Sequence, residues 1–167
     1  MRRDVENRKL RVGIVGGGLG SFIGAVHHVA VELDGQAEVV AGAMSTDPQR
    51  AAASAKAWYL DRSYDDFEAM ARAEAGRADG IDFVVIATPN HMHFPAAKAF
   101  LEQGIHVVSD KPMTFSLDEA QDLVKIVERS NLVYALTHNY TGYPAVRQAR
   151  YMVRQGELGD IRKVLVE

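Results

Sequence analysis

The sequence predicts an α/β domain, a doubly wound parallel sheet with helices on both faces, and three observations lead there. Short β-branched runs alternate with segments of helical period along the whole chain. One run, IDFVVIAT (Ile81 to Thr88), is apolar enough to be buried on both faces, as a central parallel strand must be. A glycine-rich segment, GGGLGSFIG, stands between the first strand-like run and the first helical one.

LRVGIV (Leu10 to Val15) is the first strand, stopped by glycines. The helix after it carries Phe22, Val26, Val29 and Leu33 at helical spacing, which predicts the face that packs on the sheet. EVVAGAM (Glu38 to Met44) is the second strand. Asp47 and Pro48 then read as an N-cap and a first-turn proline opening an alanine-rich helix toward Trp58. A helix over roughly Asp65 to Ala75 leads to the Ile81 strand, and FPAAKAFLEQ is helical up to Gly104. IHVVS is the fourth strand. Ser116 and Glu119 form a capping box that starts a helix running to about Ser130. LVYALT (Leu132 to Thr137) is the fifth strand, a helix spans about Pro144 to Gln155, and IRKVLVE (Ile161 to Glu167) reads as a sixth strand. A strand with nothing after it to complete a layer suggests part of a longer protein.

A chain of 167 residues, 47% hydrophobic and 25% charged, is long enough for one full core and ordinary for a globular domain. The formal charge of -3 is spread along the chain, which offers no basic stripe for a nucleic acid or an anionic membrane. Without cysteine there is no disulfide, thiolate metal site or thiol nucleophile. MRRDVENRK lacks the long apolar stretch of a secretory signal and reads as a disordered tail over residues 1–9 of a cytoplasmic protein. No apolar run reaches the ~20 residues that span a bilayer.

A glycine turn between a strand and a helix is the context in which a dinucleotide fingerprint carries meaning. Read from Gly16, the G-x-G-x-x-G pattern takes Gly16, Gly18 and then Ser21, small enough to keep the helix close to the strand. Leu19 and Gly20 complete the loop. Glycine leaves no Cβ between the backbone and a pyrophosphate, and the free N–H groups at the helix start attract its charge. S-adenosylmethionine proteins use a similar turn, so the turn alone leaves two ligand classes open. The second strand ends in Met44, Ser45 and Thr46 rather than the usual acid for ribose hydroxyls, and Arg50 is near enough to meet a 2'-phosphate; NAD and NADP both stay open.

Thr88, Pro89, Asn90, His91 and His93 follow the most buried strand and belong at the carboxyl edge of the sheet, where such folds bind ligands. His91 and His93 have no acidic or thiolate neighbour in sequence, which argues against a metal. VVSDKPMT puts Asp110, Lys111 and Pro112 at the end of the next strand.

The glycine turn, ATPNHMH and GIHVVSDKPM, in this order, resemble the N-terminal domain of the glucose-fructose oxidoreductase, inositol dehydrogenase and rhizopine catabolism family (Gfo/Idh/MocA), from about Leu10 to the end of the chain. The resemblance implies a Rossmann-type dinucleotide domain over residues 10–138. Residues 139–167 would form a linking helix and the first strand of a second α+β domain, largely absent from this chain, that builds most of the substrate pocket and often mediates homo-oligomerisation. It implies NAD or NADP as cofactor and a sugar-like or cyclitol alcohol as substrate. Gly16, Gly18, Leu19, Gly20, Ser21, Ser45, Thr46, Arg50, Thr88, Pro89, Asn90, His93, Asp110 and Lys111 become the candidate cofactor contacts. Lys111 inherits the lysine that hydrogen-bonds the substrate hydroxyl as it loses its proton, and Asp110 replaces the family's usual glutamate. Members often have a cis bond before the proline. Asn139 and Tyr140 are candidate substrate contacts. A lysine partly desolvated beside a nicotinamide is expected to titrate low enough to act as acid or base. A non-catalytic dinucleotide sensor, which would not need Lys111, and a methyltransferase are the alternatives. His27, His28, His106 and His138 lack a motif and read as structural.

Overall fold

The computed structural model describes residues 8–165. They form two compact units, divided between Leu136 and Thr137.

The first unit holds one parallel sheet in the order β3-β2-β1-β4-β5-β6. Its strands are β1 (Leu10–Gly16), β2 (Ala37–Ala43), β3 (Arg62–Ser63), β4 (Phe83–Ala87), β5 (His106–Ser109) and β6 (Tyr134–Leu136). Helices α1 (Phe22–Glu32), α2 (Pro48–Ala57), α3 (Phe67–Gly76), α4 (His93–Glu102) and α5 (Leu117–Ser130) connect them. The strand order reverses between β1 and β4, which opens a crevice at their carboxyl ends.

Side chains alternate across the sheet into two cores. Val12, Ile14, Val39 and Val85 pack with Ala55, Val31 and Trp58 from α1, α2 and the α2 terminus. On the other face Val15, Val84, Ile86 and Val107 pack with Met70, Ala96, Phe100 and Leu123 from α3, α4 and α5. Gly13 leaves room for the tips of Met70 and Ile81, which would lie 2.5 Å and 2.7 Å from a Cβ at this position.

The caps follow the sequence signals. Asp47 accepts the N–H groups of Gln49 and Arg50, and Ser116 and Glu119 close the expected box at the start of α5.

Three expectations need correction, and one strand has no expectation behind it. The apolar stripe of α1 faces outward: Phe22 is 84% exposed, Val29 63% and Leu33 81%, with Val26 also exposed. The inward stripe is Gly24, His27 and Val31, which has helical period as well. Rotation is set by Gly24 lying against the backbone of Gly17, an approach that permits no Cβ.

Strand β3 lacks a sequence signal. Two residues pair with Ala41 and Gly42, and Arg62 is held by Glu74, whose carboxylate is fully buried. Arg62 donates from Nε at 2.7 Å, the Tyr64 hydroxyl at 2.8 Å and the Ile81 N–H at 3.1 Å. Burial, with the hydrogen bond to Glu74, pushes the Tyr64 phenol up to about 12.

Of the expected N-terminal tail, residues 1–7 lie outside the described residues, whereas Arg8 forms a fork on Asp82 at 2.7 and 2.9 Å.

The second unit contains a 3-10 turn (Asn139–Gly142) and α6 (Pro144–Arg154). Ile161 to Leu165 form no strand, because no described residue gives them a ladder, and the last two residues of that expected strand lie outside the described ones. No described helix is long and apolar enough to cross a membrane.

Candidate functional site

Backbone sterics shape the loop after β1. Gly16, Gly17 and Gly20 have φ of +74°, +68° and +86°, the region that suits glycine. A Cβ on Gly16 would stand 2.6 Å from the Ala87 carbonyl oxygen, so this glycine also brings β1 against the end of β4.

Two glycine-turn expectations change. A Cβ at Gly18 would lie 2.8 Å from the Ser54 hydroxyl and 3.0 Å from the Met44 carbonyl oxygen, so the space that Gly18 preserves is the one toward α2 and the residue after β2. Ser21 does not provide the close helix packing. It is the N-cap of α1, accepting the Gly24 N–H at 3.3 Å, and the close approach is made by Gly24. Ser54, which sequence reasoning missed, accepts the Leu19 N–H at 3.1 Å and ties the loop to α2. Its only sequence signal is a serine on the otherwise small face of an alanine-rich helix.

A cleft of about 450 Å³ opens over this loop. Among the residues expected at a dinucleotide, Gly16, Gly18, Leu19, Gly20, Ser21, Ser45, Arg50 and Pro89 line it. Thr46 is exposed beside it and is not part of its wall. Just past the β2 end, Asp47 uses Oδ1 to cap α2, accepting the N–H groups of Gln49 at 2.8 Å and Arg50 at 3.0 Å. Ser45 accepts the Asp47 N–H at 3.1 Å. The exposed Arg50 guanidinium has no ion-pair partner among the described residues.

Next to the crevice, β4 runs into Thr88, Pro89 and a 3-10 turn (Asn90–Met92). The Thr88 hydroxyl is buried without a hydrogen-bond partner among the described residues, an orphaned polar atom that a ligand group would satisfy. Asn90 and His91 are exposed, and among the described residues no three metal-ligating side chains come together.

His93 differs from the expected cofactor contact. It is 1% exposed; Nδ1 lies 2.6 Å from the Pro112 carbonyl oxygen and Nε2 lies 3.0 Å from that of Thr88. The ring is buried with both nitrogens facing protein carbonyls, and as a neutral imidazole it donates to one of them.

Asp110, Lys111 and Pro112 follow β5, and the Lys111–Pro112 bond is cis. The Asp110 N–H donates to Ile86 at 3.0 Å, which keeps the turn against β4. Its Oδ1 accepts the Lys111 N–H at 2.8 Å, and Oδ2 lies 3.8 Å from Nε2 of buried His27. Beneath the turn, burial raises the Tyr134 phenol above its ordinary value. Lys111 is exposed, so the desolvation expected of it is not supplied by this chain. Asn139 and Tyr140 are exposed in the second unit, where Tyr140 packs edge-on against Tyr143 at 5.5 Å.

A crevice at a strand-order reversal, walled by a glycine loop at the start of a helix, with a buried unpaired hydroxyl at its edge, fits the phosphates and ribose of a dinucleotide.

Comparison with known proteins points the same way. Residues 10–138 match the model of the oxidoreductase family GFO_IDH_MocA, NAD-binding Rossmann fold. The chain is 36% identical over 163 residues to the uncharacterized oxidoreductase YfiI of Bacillus subtilis (strain 168), covering 96% of this chain and 42% of that protein. It is 29% identical over 161 residues to levoglucosan dehydrogenase of Pseudarthrobacter phenanthrenivorans, covering 92% and 39%. The crystal structure of an inositol dehydrogenase homolog from Azotobacter vinelandii, complexed with NADH and myo-inositol, superposes with a TM-score of 0.90 at 40% identity, covering 95% of this chain and 42% of that one. The chain thus spans about two fifths of the length of these proteins. With its strand order, its glycine loop and a family match over most of its length, the chain belongs to the Gfo/Idh/MocA oxidoreductases and carries their NAD-binding Rossmann domain.

Proposed function

We propose that the whole protein is an NAD- or NADP-dependent oxidoreductase acting on a secondary alcohol of a sugar, sugar derivative or cyclitol. The observation that carries this reading is the placement of Lys111. It leaves the end of β5 one strand from the switch point, on a turn hydrogen-bonded to β4, at the edge where the glycine loop opens.

The bound dinucleotide supplies the hydride acceptor or donor. The chain's own part is to bind, to orient and to handle a proton. The glycine loop and the first turn of α1 offer N–H groups to the phosphates, and the buried, unpaired Thr88 hydroxyl lies just past the β4 end. Lys111 takes the hydroxyl proton of an alcohol in oxidation and returns it to a carbonyl in reduction. Asp110 orients Lys111 through the backbone, since its Oδ1 already holds the Lys111 N–H.

The proposal assigns residues 10–138 to the dinucleotide domain, with residues 139–167 leading into a substrate and oligomerisation domain and Asn139 and Tyr140 contacting substrate. It also includes a homo-oligomer, a cytoplasmic location and no nucleic-acid or membrane partner. The relatives named for levoglucosan and inositol support the substrate class.

The test is Lys111→Ala in the whole protein. Turnover of polyols should be abolished while dinucleotide affinity stays within about tenfold. Full activity in that variant would refute Lys111 as the proton-transfer group.

A further inference from the structure

The turn that carries Lys111 has a buried histidine on each side of the sheet, His93 within hydrogen-bond distance of the Pro112 carbonyl and His27 facing the Asp110 carboxylate. We propose that His93 of α4 and His27 of α1 are positioning residues that fix the backbone from which Lys111 projects. This rests on the reading of Lys111 given above and extends it to two buried side chains.

His93 comes from the face covered by α3, α4 and α5. Its two nitrogens face carbonyl oxygens of Pro112 and Thr88, residues just beyond the ends of adjacent strands β5 and β4. The ring therefore spans the gap between the two strand ends that border the crevice. A neutral imidazole donates through one nitrogen only, so either tautomer ties one carbonyl, and a ring with two protons ties both. An apolar residue of similar volume fills the same space without setting the distance between those carbonyls.

His27 comes from the opposite face. Its Nε2 is buried, makes no hydrogen bond and points at Asp110 Oδ2, 3.8 Å away. The other oxygen of that carboxylate holds the Lys111 N–H. His27 and the Lys111 backbone thus flank the same carboxylate. The aspartate here, one methylene shorter than the glutamate usual in the family, keeps that carboxylate close to its own backbone.

Lys111 has a long, exposed side chain, so its starting point is what the chain can fix. A misplacement of about 1 Å at a reacting group costs about 100-fold in rate.

The experiment uses the whole protein with His93→Phe, His93→Asn, His27→Phe and, for rescue, His93→Gln. Steady-state kinetics, calorimetric dinucleotide titration and amide hydrogen exchange at Asp110 and Lys111 in the free protein are measured for each. His93→Phe and His27→Phe should lower kcat about 10- to 100-fold and speed exchange at the Lys111 amide. Dinucleotide affinity should stay within about threefold. His93→Gln, which keeps a donor, should recover part of both losses. Phe is bulkier than the ring it replaces, so His93→Asn, which fits the same space and is too short to reach both carbonyls, is measured beside it. Wild-type kcat together with wild-type exchange at Lys111 in any folded Phe or Asn variant would overturn the proposal. If Lys111→Ala keeps its turnover, the role of Lys111 fails, while exchange in the free protein still decides whether the histidines hold the turn.

Discussion

The buried hydroxyl of Ser54 on α2 accepts the N–H of Leu19 at 3.1 Å and fills the position a side chain at residue 18 would need, 2.8 Å from an ideal Cβ there. The loop and α2 are thus fitted to each other before any ligand arrives. Ser54→Ala should cost about 1 kcal/mol of stability through the lost hydrogen bond. It should also weaken dinucleotide binding several-fold, because the loop loses a fixed point. Gly18→Ala should cost more, and adding Ser54→Ala should recover only part of that cost, since the Met44 carbonyl oxygen still lies 3.0 Å from the new Cβ. Urea unfolding of the two single variants and the double variant gives the coupling. Strict additivity would show that the two residues do not compete for this space.

Gly24 gives a prediction with opposite signs from local and tertiary physics. Helix propensity favours alanine over glycine inside a helix by about 1 kcal/mol. In this fold a Cβ at Gly24 would run into the backbone of Gly17, which no side-chain adjustment relieves. Gly24→Ala should therefore destabilise by about 3 kcal/mol or more as α1 is pushed off the loop. A chemical denaturation midpoint equal to or above that of the wild type would refute the tight packing.

These two positions show what was legible in the sequence. The strands β1, β2, β4 and β5 were readable because continuous apolar runs are what a sheet buried on both faces requires, and the caps at Asp47 and Ser116 were readable because their partners lie within three residues. The face of α1 was not. The stripes Phe22, Val26, Val29, Leu33 and Gly24, His27, Val31 share one period, and hydrophobicity favours the wrong one. The choice is made by the contact of Gly24 with Gly17, seven residues away and without a side chain. Strand β3 depends on Glu74 reaching back twelve residues to Arg62. At the site, the motifs put His93 and Asp110 at the correct sheet edge, but a motif carries no direction, and both side chains face inward to the protein.

The Glu74 network predicts an alkaline signature. The Tyr64 phenol is raised from 10.0 to about 12, because burial and the hydrogen bond to Glu74 both favour its neutral form. A folded-state value above the unfolded one means the protonated phenol stabilises the native state. That contribution is complete below about pH 10 and is lost as pH rises through about 12. Tyr64→Phe, which removes a hydrogen bond to a charged acceptor, should destabilise by about 1–3 kcal/mol at pH 8. The gap from wild type should shrink between pH 10 and pH 12. A gap that widens over that interval would contradict the assignment, as urea unfolding across the range will show.

The ribose end of the cleft makes the sharpest distinction between the two dinucleotides. NAD sites commonly use a free carboxylate at the end of the second strand, which accepts from ribose hydroxyls and repels a 2'-phosphate. Here no acid stands at the strand tip itself. Met44 and Ser45 occupy the tip, and Asp47 uses Oδ1 to cap α2 through the N–H groups of Gln49 and Arg50. Arg50 lines the same cleft with its guanidinium exposed, and a planar cation of this kind suits a phosphate through paired hydrogen bonds. NADP should accordingly bind at least as tightly as NAD. Arg50→Ala should weaken NADP about tenfold and leave NAD within about twofold, the loss of one exposed charge-assisted contact. Ser45→Asp should reverse the preference by supplying the carboxylate that Asp47 withholds. Calorimetric titration of the three proteins with both dinucleotides is the check. If Arg50→Ala weakens NAD and NADP equally, Arg50 contacts something common to both, such as the pyrophosphate, and preference for one dinucleotide must be set elsewhere on the β2 tip.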